Sequence, residues 1–231
     1  MRDFIEHRLS TNTEDEDDSK NLTINEEVII TEHAPSVFNA IKKMDGVRSS
    51  QIMRSLNVDS NNSQVFKAKE SAGKSGSFFF FSYDRQFIIK TMNNAELKVF
   101  ENALYDYVRF LKENPESLIA RIYGIFTVQM EDVAPVHLLL MANAAQTGKK
   151  LLHIFDLKGS IINREVKNPD YSDSGATWKD VNLLNLCKEN VFLKFRREDM
   201  RSIMERMLKD IYFMSEHKIM DYSLLLIIEI N

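Results

Sequence analysis

SAGKSGSFFFFSYDRQFIIKTM, residues 71–92, is a small-residue loop followed by two apolar runs with a turn pair between them. Aromatic and β-branched residues suit a pleated, half-buried surface, so the runs predict strands at Phe78–Tyr83 and Phe87–Met92 around a turn at Asp84-Arg85. Lys90 stands among Ile88, Ile89 and Met92. An ammonium there is costly to bury alone, so it calls for an anionic partner or ligand. One hairpin arm upstream, Gly73, Lys74, Ser75, Gly76 and Ser77 can bring backbone N–H groups and hydroxyls close to a phosphate. The two features together suggest a nucleotide lid over a phosphate-pairing lysine. A Walker A loop is excluded, because its first glycine would fall at Ala68, and the protein-kinase G-x-G-x-x-G pattern is absent. A plain surface turn before a hairpin fits the same residues.

Downstream the period changes. Leu97, Phe100, Leu104, Val108 and Leu111 recur at three- and four-residue steps, predicting an amphipathic helix from Ala95 to Leu111 that closes near Pro115. Glu96 in its first turn has two compatible uses: a capping box with Asn93, or an ion pair with Lys90 that aims the ammonium at phosphates. Ile122–Gln129 and Val136–Ala145 read as a second hairpin across a turn with Glu131, Asp132 and Pro135. If this is a kinase-like small lobe, Met141-Ala142-Asn143 is the hinge whose backbone faces adenine. Leu151–Leu157 reads as a strand, and Asp156, Lys158 and Arg164 around Gly159 form either a solvated turn or a phosphate site. A mixed-charge helix at Glu198–Glu216 carries a stripe of Met200, Ile203, Met204, Met207, Leu208 and Ile211, expected to be core. Asp221 immediately precedes an apolar strand, as a turn residue or as a general base for a hydroxyl.

Upstream, residues 9–25 are polar and acidic and are expected to be a disordered leader, drawn in full as 1–27. Ala34–Leu56 predicts two short helices broken near Gly46, with Lys42, Lys43, Arg48 and Arg54 as a solvated face or, alternatively, a membrane-facing patch. Asn57–Gln64 reads as a polar connector.

The chain has 231 residues, 44% of them apolar, enough for one large or two small cores. Its net charge of −4 resides in the first 20 residues, where seven acids oppose three bases, and the balanced remainder argues against general nucleic-acid binding. A single cysteine, Cys187, excludes an internal disulfide and fits a reducing cytosol. No signal-peptide shape and no window of membrane-span length is present.

Six segments, GKSGSFFFFSYDRQFIIKTM, APSVFNAIKKM, NPESLIARIYGIF, FDLKGSIINR, TWKDVNLL and MDYSLLL, resemble the catalytic core of the phosphatidylinositol phosphate kinases over about Val28 to Ile228. The resemblance implies an α+β, two-lobed lipid-kinase fold with an antiparallel small-lobe sheet at about 28–150 and the start of a large lobe at about 151–231. It implies transfer of the ATP γ-phosphate, with magnesium, to an inositol-ring hydroxyl of a phosphatidylinositol monophosphate, phosphatidylinositol 4-phosphate being the commonest family substrate. Gly73 to Ser77 would then cover the phosphates, Lys90 would hold them, and Glu96, or Glu101 in its place, would be the helix glutamate. Lys158 and Arg164 would lie near a transferred or lipid phosphate, and Asp221 would be the catalytic aspartate. The family works on the cytosolic membrane face, often the plasma membrane, and members often dimerise through the small lobe.

The chain departs from the family pattern after Leu225, with Ile227 and Glu229 where Gly and His are usual. The family's metal-binding acid and basic activation loop belong downstream of Asn231, so the large lobe is expected to be incomplete and its last strand to lack a hairpin partner. No metal ligand is assigned within the chain. The alternative reading is a truncated, catalytically weak module that binds ATP or partners.

Overall fold

The computed structural model describes residues 19–25, 28–65, 77–173, 175–189 and 194–229. They fall into two compact units divided between Ala144 and Ala145.

The first unit carries strands β1 (Lys20–Asn25) and β2 (Val28–His33), helices α1 (Pro35–Met44), α2 (Ser49–Ser55) and α3 (Val58–Val65), then β3 (Phe79–Phe81) and β4 (Phe87–Met92). Helix α4 (Asn94–Glu113) and strands β5 (Ile122–Met130) and β6 (Val133–Ala142) complete it. The six strands form one antiparallel sheet in the order β1-β2-β5-β6-β4-β3. Helices with an antiparallel sheet make the α+β class expected from the sequence.

The β3–β4 turn is closed by Ser82 and Asp84. The Ser82 N–H donates to the Phe87 carbonyl (3.0 Å) and the Phe87 N–H to Ser82 Oγ (3.0 Å). Ser55 and Ser82 hydroxyls donate to the Asp84 carboxylate at 2.6 and 2.7 Å, and Arg85 takes a left-handed φ of 55°. These bonds remove Ser82 and Tyr83 from the ladder, so β3 is shorter than the expected Phe78–Tyr83.

Helix α4 starts with a full capping box. Asn93 accepts from the Glu96 N–H (2.9 Å), and Glu96 Oε2 accepts from the Asn93 N–H (2.8 Å). Its apolar face buries Leu97, Leu104, Tyr107, Val108 and Leu111 with Val37, Phe38 and Ile41 of α1 and Ile125 of β5. Phe38 stacks on Phe100 at 6.5 Å, and Phe100 meets Tyr107 edge-on at 5.7 Å. Tyr107 is fully used, since its hydroxyl donates to the Ala120 carbonyl (3.1 Å) and accepts from the Ile122 N–H (3.3 Å). Burial pushes that phenol above its ordinary range.

Three expectations are corrected here. The polar connector at Asn57–Gln64 is mostly helix α3, started by Asn57 Oδ1 accepting from the Ser60 N–H (3.3 Å). Asn61, buried in α3, donates to the Ser55 and Asn57 carbonyls and accepts from the Tyr83 N–H at 2.8 Å. The helix is therefore held by amide bonds rather than an apolar stripe. The expected leader contains β1, whose Asn21-Leu22-Thr23-Ile24 alternation is too brief to outweigh the acids before it. Pro135 lies inside β6, where the β5 register shifts and β4 pairing has already ended at His137, so its missing N–H breaks no ladder bond to β4.

The second unit contains β7 (Leu151–Leu157), β8 (Thr177–Trp178), helices α5 (Asp180–Glu189) and α6 (Arg197–Glu216), and β9 (Leu224–Glu229). Central β7 pairs parallel with β8 and antiparallel with β9, burying Phe155 and Trp178. The last strand pairs along β7 on one side only and forms an edge of this sheet, with no hairpin partner beside it among the described residues. The methionine stripe is also corrected. Met200, Met204 and Leu208 are 41, 55 and 63% exposed, while α6 buries Asp210 and Phe213 instead.

Phe38→Ala, at a site with no exposed surface, should cost about 3–5 kcal/mol in urea unfolding of this unit; a cost under about 1 kcal/mol would mean that the α1–α4 contact contributes little to stability.

Candidate active site

Lys90 pairs across the sheet with Phe79 of β3 and Leu139 of β6, and its side chain remains a quarter exposed. Its Nζ lies 3.3 Å from Glu96 Oε1. Glu96 therefore spends one oxygen on the α4 N-terminus and the other on Lys90, so the capping box and the ion pair coexist. Glu101 does not compete for the lysine, because its Oε1 is 3.2 Å from His33 Nδ1.

Gly73, Lys74, Ser75 and Gly76 lie outside the described residues. Ser77, the last of that group, is buried, and the next residue is pinned by the Phe78 N–H donating to Thr91 Oγ1 (2.8 Å). Met141 is flanked on both sides by strands, pairing with Ile88 and Ile122. The Asn143 N–H donates to the Gln86 carbonyl (2.9 Å), and its side-chain amide donates to the Arg85 carbonyl (2.7 Å). Both Asn143 bonds tie the end of the Met141-Ala142-Asn143 segment to the β3–β4 turn.

In the second unit, Asp180 at the start of α5 gathers the loop after β7. Its Oδ1 accepts from the Lys158 N–H (3.0 Å) and the Gly159 N–H (2.8 Å), while its Oδ2 accepts from Arg164 Nε (2.7 Å). Arg164 also reaches the Asp156 carbonyl and carboxylate, the latter at 3.1 Å. Burial works against the charge of Asp180, but the Arg164 bond and the backbone donors outweigh it and hold the carboxyl below its ordinary value. Nε and Nη2 of the guanidinium are engaged by this unit's own acids, so Arg164 clamps the loop after β7. Lys158 is exposed, with Gly159 in the left-handed region (φ 67°) beside it.

Buried Asn182 adds a second clamp, accepting from the Val166 and Lys179 N–H groups at 2.9 and 3.2 Å and donating to the Val166 carbonyl at 3.0 Å. Asp180 and Asn182 received no role from the sequence. Their signal in the sequence was membership of the TWKDVNLL segment, at the start of the helix that follows a tryptophan strand.

Asp221 follows a complete helix stop. The His217 N–H donates to Phe213, Lys218 to Ser215 and Ile219 to Met214, with Lys218 at φ 54° where glycine is usual. Asp221 is exposed and left-handed as well (φ 57°), three residues before β9. Left-handed aspartates are tolerated at modest cost and gather at functional sites.

The family profile described as Phosphatidylinositol-4-phosphate 5-Kinase matches residues 60–231. The chain belongs to the phosphatidylinositol-4-phosphate 5-kinase family. It is 32% identical over 196 residues to a probable phosphatidylinositol phosphate kinase of Dictyostelium discoideum, covering 84% of this chain and 27% of that protein. It is 33% identical over 195 residues to a phosphatidylinositol 4-phosphate 5-kinase of Schizosaccharomyces pombe (84% and 25% covered). To the type-1 beta phosphatidylinositol 4-phosphate 5-kinase of Gallus gallus it is 29% identical over 194 residues (84% and 34%). The chain thus spans about a quarter to a third of the length of these relatives. Among the described residues no helix is long and apolar enough to cross a membrane.

Within this kinase-family chain, Asp180→Asn should remove part of the acid sensitivity of the second unit. A carboxyl held below its ordinary value contributes stability above about pH 4 that is lost as pH falls through its folded value. The mutant should be less stable at pH 7 but lose less on going from pH 5 to about pH 2.5; parallel acid-unfolding curves would deny Asp180 that role.

Proposed function

We propose that this chain is the nucleotide-holding part of a kinase that phosphorylates an inositol-ring hydroxyl of a phosphatidylinositol monophosphate, converting phosphatidylinositol 4-phosphate to phosphatidylinositol 4,5-bisphosphate. The observation that carries the reading is the Lys90–Glu96 pair on adjoining strand and helix, in a chain of this family. An ammonium has three N–H donors, and a single carboxylate contact at 3.3 Å leaves donors free for triphosphate oxygens. Glu96 cannot swing away without giving up the Asn93 N–H, so it keeps the ammonium aimed. Positioning and charge stabilisation of this kind supply most of the rate in phosphoryl transfer.

In the proposed reaction the ring hydroxyl attacks the γ-phosphorus, the bond to the β-γ bridging oxygen breaks, and ADP leaves. Asp221 takes the hydroxyl proton, a role its exposed carboxylate and left-handed backbone support. Lys158, exposed beside Gly159, is the better placed of the two expected basic residues to meet a phosphate, with Arg164 fixing the loop that presents it. Magnesium would neutralise phosphate charge in such a transfer. Among the described residues no group of three or more His, Cys, Asp or Glu is arranged to hold a metal ion, so no step is routed through one. A lipid substrate places the work at a membrane surface, with the cytosolic face of the plasma membrane and self-association through the small lobe as further parts of the proposal.

Lys90→Ala in the full-length enzyme should reduce ATP-dependent labelling of phosphatidylinositol 4-phosphate vesicles by roughly a hundredfold or more, and undiminished turnover would remove Lys90 from its role. Asp221→Asn should leave nucleotide affinity within about twofold while eliminating transfer. A parallel fall in nucleotide affinity would make Asp221 structural.

A further inference from the structure

The small sheet of the second unit has one end where two strands finish and a third begins. β7 and β8 run parallel and end at Leu157 and Trp178, while β9 runs antiparallel to β7 and begins at Leu224, opposite Leu157. The loop 158–164 therefore leaves, and the segment 220–223 enters, at the same end of the sheet. Lys158 and Asp221, proposed above to meet a phosphate and to take the hydroxyl proton, belong to these two segments.

That end also carries the three most exposed large apolar side chains among the described residues of this unit. Met220, Ile162 and Ile161 are 81, 76 and 71% exposed. Single exposed apolar residues are ordinary on a protein surface, but two adjacent isoleucines on a loop held in shape are a patch. The holding bonds are all polar. Asp180 takes the Lys158 and Gly159 N–H groups and Arg164 Nε, and Ser160 Oγ accepts from the Ile162 N–H at 3.2 Å. Left-handed Gly159 and Asn163, at φ 67° and 58°, bracket residues 160–162. None of these bonds uses an isoleucine side chain, so the loop keeps its shape while the pair faces water.

We propose that this end of the small sheet is a bilayer-facing rim, in which Ile161, Ile162 and Met220 enter the interface of an anionic membrane and bring Lys158 and Asp221 to head-group depth.

The choice of a bilayer as partner rests on the lipid-kinase reading. A phosphatidylinositol phosphate keeps its acyl chains in the membrane while its ring reacts, so the groups that act on the ring must come down to the surface. Apolar side chains at the rim favour that approach, because they exchange water for hydrocarbon contact. Lys158 is the exposed cation of loop 158–164 and lies three residues before Ile161. Its aliphatic stem suits an apolar surface while its ammonium stays among lipid phosphates. A loop already fixed by its clamp loses little conformational freedom on docking, so more of the burial appears as affinity. The exposed face of α6 around Met204, 55% exposed, is apolar as well but carries no residue of the proposed site, which makes it the comparison.

The test is flotation of the full chain with vesicles of about three parts phosphatidylcholine to one part phosphatidylserine, without phosphoinositide or nucleotide. The wild type should float with the vesicles. Ile161→Ser combined with Ile162→Ser should lower the partition coefficient roughly tenfold or more, and Met204→Ser should leave it within about twofold. In a Cys187→Ser background, an environment-sensitive dye on Ile162→Cys should shift to the blue when vesicles are added, and the same dye on Met204→Cys should not. A wild type that stays in the aqueous phase, a double variant that floats as well as the wild type, or a blue shift at position 204 in place of 162 would overturn the proposal. So would loss of self-association in the double variant, measured by sedimentation velocity, with flotation unchanged; the rim would then join copies of this chain. In the full-length enzyme the double variant should slow phosphorylation of phosphatidylinositol 4-phosphate in vesicles and leave that of a water-soluble short-chain form within about twofold. Equal losses on both would overturn the rim as a membrane contact. If the kinase reading fails, neither lipid is phosphorylated, and flotation still decides the rim.

Discussion

The carboxylate of Glu96 is where the first unit's order and its chemistry meet. One oxygen caps the N-terminus of α4 and the other holds Lys90, so a single rotamer serves both. Without the pair, an ammonium on an interior strand would lack its counter-charge. Because the cap is built into the helix start, the ion pair moves only if the helix moves. The precision of Lys90 is therefore inherited from the docking of α4.

That docking is polar at three points and apolar between them. Lys90, His137 and His33 stand on β4, β6 and β2 and meet Glu96, Asn94 and Glu101 of the same helix. The spacing is geometrically matched. Seven residues of helix from Asn94 to Glu101 rise about 10.5 Å, and two strand spacings from β6 across β5 to β2 span about 9.6 Å. Leu97 among the grips, and Leu104 and Val108 beyond them, supply the apolar area that makes the contact favourable overall. The polar pairs select which register that area buries in.

In the second unit the organising group is also an acid at a helix start. Asp180 takes two backbone donors and Arg164, so the loop with Gly159 and Asn163, both left-handed, has one shape. Arg164 is thus tied to the loop's own carboxylates while Lys158 stays exposed. Beyond that loop, α6 leaves Met200 and Met204 exposed and β9 closes the small sheet as an edge.

What the amino-acid order determined by itself was local and periodic. Strand β4, strand β7, the break between α1 and α2, the α4 stripe and the Asn93–Glu96 box could all be read directly, because alternation, three-to-four spacing and N-x-x-E act within one turn or one strand. Six ordered motifs likewise carried the family before any coordinates. Only tertiary structure assigned Arg164 to two carboxylates, Glu101 to His33, the Asn143 N–H to Gln86, and a polar segment to α3. Each of these depends on residues 8 to 68 positions apart in the chain, and no window of sequence states which distant partner a side chain will meet. The methionine stripe shows the same limit: periodicity fixes which residues share a face, but whether that face is buried depends on what packs against it.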